Sequence, residues 1–325
     1  VDLARLTELV ESSDLGGLIR LVGTLARDGD WDGIVTVRDR CREAVRRGKE
    51  VWGPAEYAEY RLARDAPGSY AAMVVADGKG RFGLGPLWEV AASTHAWAEL
   101  EPHLEVATTR ALAAHERVVR GEDLTDAGVD REVLDIPLRL EPWEPRYPVA
   151  VYREDRADFP EAPASPLGWC DLPEPGERLR DAGPGEALLE LVRPWWEESS
   201  GHAEAVQVEG PARRAIRTLG PHRARLAEVS LQEALSAMVW AGASGGAYGR
   251  RRGTPVGRAG AWWVLVELLG WEELPAEGEE LAREAGTLRW VRWDPGDLVG
   301  GWSLHLAVED PLEGVAWAIS AVDVR

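Results

Sequence analysis

The densest chemistry in this chain lies between Gly242 and Gly253, which reads GASGGAYGRRRG and runs on through Thr254-Pro255-Val256-Gly257-Arg258. Gly242, Gly245, Gly246, Gly249 and Gly253 let a backbone approach a ligand closely and turn successive N–H groups toward an anion. Arg250, Arg251, Arg252 and Arg258 add positive charge, and a helix expected to begin near Arg258 adds the positive end of its dipole. The pattern marks a candidate site for a small anionic group, a phosphate or a carboxylate. It is not a known phosphate loop, because neither the GxxxxGK[ST] nor the GxGxxG spacing is present. A plainer reading of the same residues is an interhelical loop whose arginines pair with the protein's own carboxylates.

The same stretch contains a formal GxSxG around Ser244, and His305 follows it with Glu273, Asp294 and Asp297 between them. That is the chain order of an α/β-hydrolase triad, but the nucleophile elbow needs a strand before the serine and a helix directly after it. Here Leu231, Ala234, Leu235, Met238 and Val239 recur at helical spacing before the serine, and GAYGRRRGTP follows it. Ser244 and His305 are therefore the catalytic pair of an alternative reading only, a hydrolase or transferase acting on a phosphorylated or acyl substrate. His95, His103 and His115 fall in the helical half with Glu99 four residues after His95, yet no HExxH or comparable ligand spacing occurs. No metal site is assigned, and no motif names a cofactor.

The elements that must position these residues change character along the chain. From residue 2 to about 120 apolar residues recur at helical spacing, as in Leu3-Leu6-Leu9-Val10, Leu18-Leu21-Val22-Leu25 and Ile34-Val37-Cys41-Val45. Breaks at Ser12-Ser13-Asp14, Asp28-Gly29-Asp30, Gly53-Pro54, Pro67-Gly68 and Gly83-Leu84-Gly85-Pro86 divide this half into about seven short helices. Ser13 and Asp30 are the expected N-caps, and Pro54 and Pro86 suit a first turn. Residues 1–125 thus form an expected all-α domain, a helical-hairpin or HEAT-like array, although no fixed period in residue identity accompanies it.

Residues 126–184 read as a connector, since 10 of the 21 prolines lie between Pro137 and Pro184. That density favours extended chain over long helices or central strands. Trp143, Tyr147, Tyr152, Phe159 and Trp169 within it argue for packing against a domain surface rather than a solvated tether. Residues 185–325 read as an α+β domain. Strands are expected at 203–208, 225–229, 287–293, 303–308 and 315–322, the last three as a meander. Helices are expected at 186–192, 212–218, 231–241 and 259–269, packed on one face of a mainly antiparallel sheet. The fold class is α+β overall.

The charge balance, 37 Lys plus Arg against 56 Asp plus Glu for a net −19, repels phosphate backbones and argues against nucleic-acid partners. Lys49 and Lys79 are the only lysines and asparagine is absent, a bias that reads as a GC-rich genome before it reads as chemistry. Cys41 and Cys170 are too few for a disulfide framework or a cysteine metal cage. No basic-then-apolar leader and no run of 18 apolar residues occurs, so a cytoplasmic protein without a membrane partner is expected. Most of the sixteen tryptophans are expected in cores and interfaces.

Three stretches carry a resemblance: Gly80-Arg81-Phe82-Gly83-Leu84-Gly85-Pro86-Leu87 with Glu89 to His95, LRLEPWEPRYPV from Leu138 to Val149, and WAGASGGAYGRRRG at 240–253 with Gly257, Arg258, Ala261, Trp262 and Trp263. Over most of its length the chain resembles a function-unknown protein family of GC-rich actinobacteria. The resemblance implies a bacterial cytosolic setting and brings no catalytic residue with it. The residues themselves support a binding or adaptor protein with a small-anion site at the Gly242–Arg258 loop and a possible protein partner on the helical domain. On that reading, replacing Arg250, Arg251 and Arg252 by alanine weakens ligand binding in a titration while the circular dichroism spectrum stays that of the native fold. Unchanged binding removes the loop from the account.

Overall fold

A computed structural model describes residues 1–77, 84–180, 183–274, 278–296 and 301–324. The chain forms two compact units, one of Val1–Val133 with Ala150–Asp158 and one of Leu134–Val149 with Phe159–Arg325. The proline-rich stretch expected as a connector is divided between them.

The first unit carries α1 (Leu3–Glu11), α2 (Leu15–Asp28), α3 (Trp31–Arg46), α4 (Trp52–Asp65), α5 (Gly68–Asp77), α6 (Leu87–Thr94), the single turn α7 (Trp97–Leu100) and α8 (Ala107–Val119). A short hairpin, β1 (Val151–Tyr152) with β2 (Ala157–Asp158), completes it. The helical period becomes buried stripes: Leu6, Leu9 and Val10 on α1, Leu18, Val22 and Leu25 on α2, Ile34, Val37, Cys41 and Ala44 on α3. Burial raises the Cys41 thiol to about 11, so it acts as a small apolar side chain rather than a nucleophile. Asp30 caps α3 as expected, its carboxylate accepting the Gly33 N–H at 2.9 Å. Asp14, not Ser13, caps α2 by accepting the Gly17 N–H at 2.8 Å, while Ser13 takes φ 53° in the turn before it. The hairpin docks through Tyr152, whose hydroxyl donates to the buried Glu89 at 2.6 Å and whose ring meets Tyr60 edge-on. The expected break at Gly83 lies outside the described residues.

The second unit holds β3 (Gly168–Asp171), α9 (Pro184–Leu191), α10 (Pro194–Glu197), β4 (His202–Glu209), α11 (Ala212–Thr218), β5 (Arg223–Val229), α12 (Leu231–Ala243), α13 (Thr254–Leu268), α14 (Gly278–Ala285), β6 (Arg289–Asp294), β7 (Gly301–Asp310) and β8 (Val315–Val324). The strands form one antiparallel sheet in the order β3-β5-β6-β7-β8-β4. On one face Val206, Val208, Val291, Trp293, Ala307, Ala316 and Ala318 pack with Ala212, Ala215 and Ile216 of α11. The alternate residues Trp290, Leu304, Leu306, Val308, Trp317, Ile319 and Ala321 are buried too, on the side met by α9 and α12. Helices therefore cover both faces, where one was expected. The apolar run of β8, VAWAISAV, interrupted only by Ser320, fits that double burial. Two further departures matter: β3 emerges from the proline-rich stretch as an edge strand, and α13 begins at Thr254, one turn before the start expected from Arg258. Among the described residues no helix is long and apolar enough to cross a membrane.

Beginning at Thr254 places Arg258 in the second turn of α13, and its side chain is fully buried. Its Nε and Nη2 donate to the two oxygens of Glu144 at 2.8 and 2.6 Å, and its Nη1 and Nη2 donate to the carbonyls of Pro137 and Arg139 at 2.8 Å each. Glu144 also accepts from Tyr147 Oη, Trp262 Nε1 and the Glu141 N–H. Burial works to raise the Glu144 carboxyl, but these bonds, the guanidinium first, outweigh it and hold its pKa below the ordinary value. Removing one member of such a pair strands the other's charge, so Arg258→Met is expected to cost about 3–5 kcal/mol in urea unfolding. A loss below about 1 kcal/mol would show that the pair does not hold this unit together.

Candidate functional site

The Gly/Arg loop is built inward. Its Ala247 N–H donates to Asp323 Oδ2 at 2.5 Å, Gly246 N–H to Ser244 Oγ at 3.0 Å, and Tyr248 N–H to Ser199 Oγ at 3.2 Å. The N–H groups of Arg252 and Gly253 both go to the Ala243 carbonyl that ends α12. The one anion among these acceptors is the protein's own buried Asp323 carboxylate, held by the Ala247 N–H. Gly246 is needed for that approach: it sits at φ 78°, and a Cβ there would lie 2.1 Å from Asp323 Oδ2. Gly245 and Gly249 have no room for a side chain either, against the Arg250 and Gly245 carbonyls. Gly242 belongs to a helix crossing, its missing Cβ giving way to Gly257 of α13.

The four arginines do not converge. Arg258 is spent on Glu144, which corrects its assignment to a ligand site. Arg252 points Nη1 at the Glu190 and Leu191 carbonyls, 3.3 and 3.5 Å away at the C-terminal end of α9, and burial lowers its pKa. Arg251 lies over the Phe159 ring at 4.4 Å and donates to Thr254 Oγ1 at 3.1 Å. Arg250 alone is exposed.

Ser244 is the C-cap residue of α12, buried in the turn, with its hydroxyl taken by Gly246. His305 lies on β7 and lines a cleft of about 150 Å³ to which neither Ser244 nor Arg250 contributes. The structure therefore does not bring the two expected catalytic residues into one pocket. Asp297, a candidate third member, lies outside the described residues.

That cleft exists because the sheet forks. The β6–β7 ladder ends at Arg292↔Leu306, whereas β6 stays on β5 as far as Arg225↔Asp294 and β7 stays on β8 as far as Gly301↔Val324. Past the last rung the Trp293 and His305 rings meet at a tilt of 56°, with centroids 4.6 Å apart. Glu233, Ser236, Ala237 and Trp240 of α12 form one wall. Glu161, Ala162, Pro163 and Leu167 form a strap across it, pinned where Glu233 accepts the Ser165 N–H at 2.9 Å and hydroxyl at 2.6 Å.

Two charged pairs in the cleft are internally matched: Arg292 with Glu233 at 3.3 Å and Arg225 with Asp294 at 2.5 Å. Burial tends to raise Glu233, and the Ser165 and Arg292 bonds reverse this and hold its pKa below the ordinary value. Burial pushes the His305 imidazole down to about 4 against the upward pull of Asp294, so it is neutral at pH 7. His305 was legible as the sole histidine of a late strand. Asp294 was named only as an acid between Ser244 and His305, and Glu233, Arg292, Trp240 and Glu161 were not legible at all, because a fork in a sheet leaves no local pattern.

Outside the cleft, His95 sets its ring nitrogens against the Ala91 and Ala66 carbonyls at 2.9 and 2.7 Å. Among the described residues no group of three metal-ligating side chains gathers. On α2 of the first unit Leu15 and Ile19, one turn apart, remain exposed at 44% and 41%.

These geometries yield two checks. Gly246→Ala is expected to lower stability by about 1–3 kcal/mol in thermal unfolding, and Arg250→Ala to change it by less than about 0.5 kcal/mol; equal effects would mean that the loop does not close on Asp323. An unfolded histidine takes up a proton below 6.5 while His305 resists down to about 4, so acidification through that window favours unfolding. Wild type is expected to lose up to about 3 kcal/mol there, and His305→Gln to lack that part of the slope; identical pH profiles would contradict the burial of a neutral ring.

No curated protein and no solved structure matches this chain. A family of unknown function, DUF6183, matches residues 16–325, from the first turn of α2 to the end of the sheet. With both units taken in by that match, the chain belongs to the DUF6183 family of unknown function.

Proposed function

We propose that this chain is a ligand-binding protein that takes a small polar molecule into the cleft where β6 and β7 part. The observation that carries the reading is the state of the polar groups there. Elsewhere in the second unit Arg258, Glu144 and the loop amides have partners within the chain. In the cleft the side chains of His305, Ser303 and Glu161 have no hydrogen bond or ion pair among the described residues. A cleft that presents solvent-open polar side chains beside indole surface is the ordinary setting of a small-molecule site. The reading keeps the binding-protein expectation and moves its site away from the Gly/Arg loop, whose donors are occupied.

The test is a thermal-shift screen of amines, sugars, carboxylates and nucleosides against wild type, Ser303→Trp and an Arg250→Ala/Arg251→Ala pair. Ser303 is exposed and lines the cleft, so tryptophan there fills the opening without removing a core contact. A ligand at 100 times its dissociation constant adds about 2.7 kcal/mol to apparent stability. Stabilisation lost in Ser303→Trp and kept in the arginine pair is the expected result. The reverse pattern would return the site to the loop.

A further inference from the structure

We propose that β3 is a self-association edge, on which two copies of this chain pair antiparallel about a two-fold axis at Cys170. The strand ends the sheet order and has β5 on one side only. Leu172 N–H donates to the His222 carbonyl at 3.0 Å, so the bonded rungs toward β5 are those of Leu172, Cys170 and Gly168. Trp169 and Asp171 therefore turn their backbone groups outward. Among the described residues only the Cys170 thiol reaches one of these groups, the Asp171 carbonyl, at 3.3 Å. Both side chains stand on one face of the sheet and are open to water, Trp169 at 52% and the Asp171 side chain at 92%. An edge with free donors and acceptors beside an exposed indole is a template for another strand.

The edge is complementary to itself in one register. With the axis at Cys170, Trp169 of each copy lies opposite the partner's Asp171, and the two residues exchange both backbone bonds. Arg223 lies over the Trp169 ring at 5.1 Å and 3.5 Å from its own Asp171, in a loose, exposed pair. Across the paired edges that guanidinium meets the partner's Asp171 beside the indole, and the symmetry makes two such bridges. Arg225, also near the ring, is held by Asp294, which leaves Arg223 as the cation for the second copy. Moving the axis to Asp171 sets two carboxylates face to face and puts Pro173, which has no N–H, against Trp169. Moving it to Trp169 sets Asp171 against the apolar Leu167. Pro166 and Pro173 bound the ladder, so it stays short and the dimer belongs to the weak, concentration-dependent class.

Sedimentation velocity of the whole chain over a range of concentrations tests this. Wild type is expected to pass from monomer to dimer as the concentration rises. Asp171→Pro removes an outward N–H and an exposed carboxylate without touching the rungs to β5, and is expected to weaken dimerisation at least tenfold with an unchanged circular dichroism spectrum. Asp171→Arg is expected to weaken it as much, and Arg223→Asp added to that variant to recover most of the loss. The position of the axis is read by diamide, which takes two electrons and two protons from a pair of thiols as they close into a disulfide. At a non-hydrogen-bonded rung the two Cys170 Cα atoms lie about 4.5 Å apart, within disulfide reach. A covalent dimer is expected from wild type and none from Cys170→Ser, since Cys41 is buried. A chain that stays monomeric at every concentration would overturn the proposal. So would a dimer that forms no Cys170 cross-link or that survives Asp171→Pro and Asp171→Arg, because another register or surface would then hold it.

Discussion

The second unit is organised around one buried ion pair. Arg258 and Glu144 are both withdrawn from water, and such a pair is tolerable only where every remaining donor and acceptor is matched. Here that condition is met by bringing in the Pro137 and Arg139 carbonyls, Tyr147, Trp262 and the Glu141 N–H. The pair thereby fastens the stretch around residues 137–147 to α13. Gly257 on the same helix, one residue before Arg258, opens the space in which α12 crosses at Gly242. Since α12 carries Glu233 and Trp240, this wall of the cleft is supported by a charge pair that takes no part in its lining.

The Gly/Arg loop is likewise turned onto the protein's own groups. In an acidic chain four arginines close in sequence look like a positive island, yet each faces a different partner once folded: Glu144, the end of α9, the Phe159 ring, and solvent. The glycines serve close approach to Asp323 and to α13 rather than to a ligand. The cleft is the contrasting case. The ladder between β6 and β7 stops, a strap crosses the gap, and the side chains of His305, Ser303 and Glu161 line it without a hydrogen-bond partner among the described residues.

How much of this was legible follows from the range of each signal. Helical stripes such as Leu18-Val22-Leu25 and a carboxylate cap such as Asp30 are local, and the structure has them where the sequence puts them. The strands at 203–208, 225–229, 303–308 and 315–322 were equally readable, each lying within a strand of the sheet. Double-sided burial was encoded in β8 as a run without alternation, a signal that also fits a buried helix. The start of α13 was misplaced because Pro255 in a first turn is as good a signal as an arginine dipole, and the arginines drew attention away from it. Ser13 and Asp14 compete for one cap, and only the folded turn decides between them. The partner of Arg258 lies 114 residues earlier in a proline-rich stretch, beyond any spacing argument. The cleft joins four separate segments, so its members cannot be grouped before the sheet is known.

The most direct measurement of the central claim, that binding occurs at the fork and not at the loop, is a nitrogen-15 NMR titration of the whole chain with the molecule that stabilises it most in the thermal-shift screen. It follows the Trp240 and Trp293 indole signals, the His305 ring signals and the backbone amides of residues 245–252 in one experiment. The account predicts saturable shifts at Trp240 and His305, with the loop amides unmoved because Asp323, Ser199 and the Ala243 carbonyl already hold them. Shifts confined to the loop amides, with the two cleft side chains silent, would contradict it.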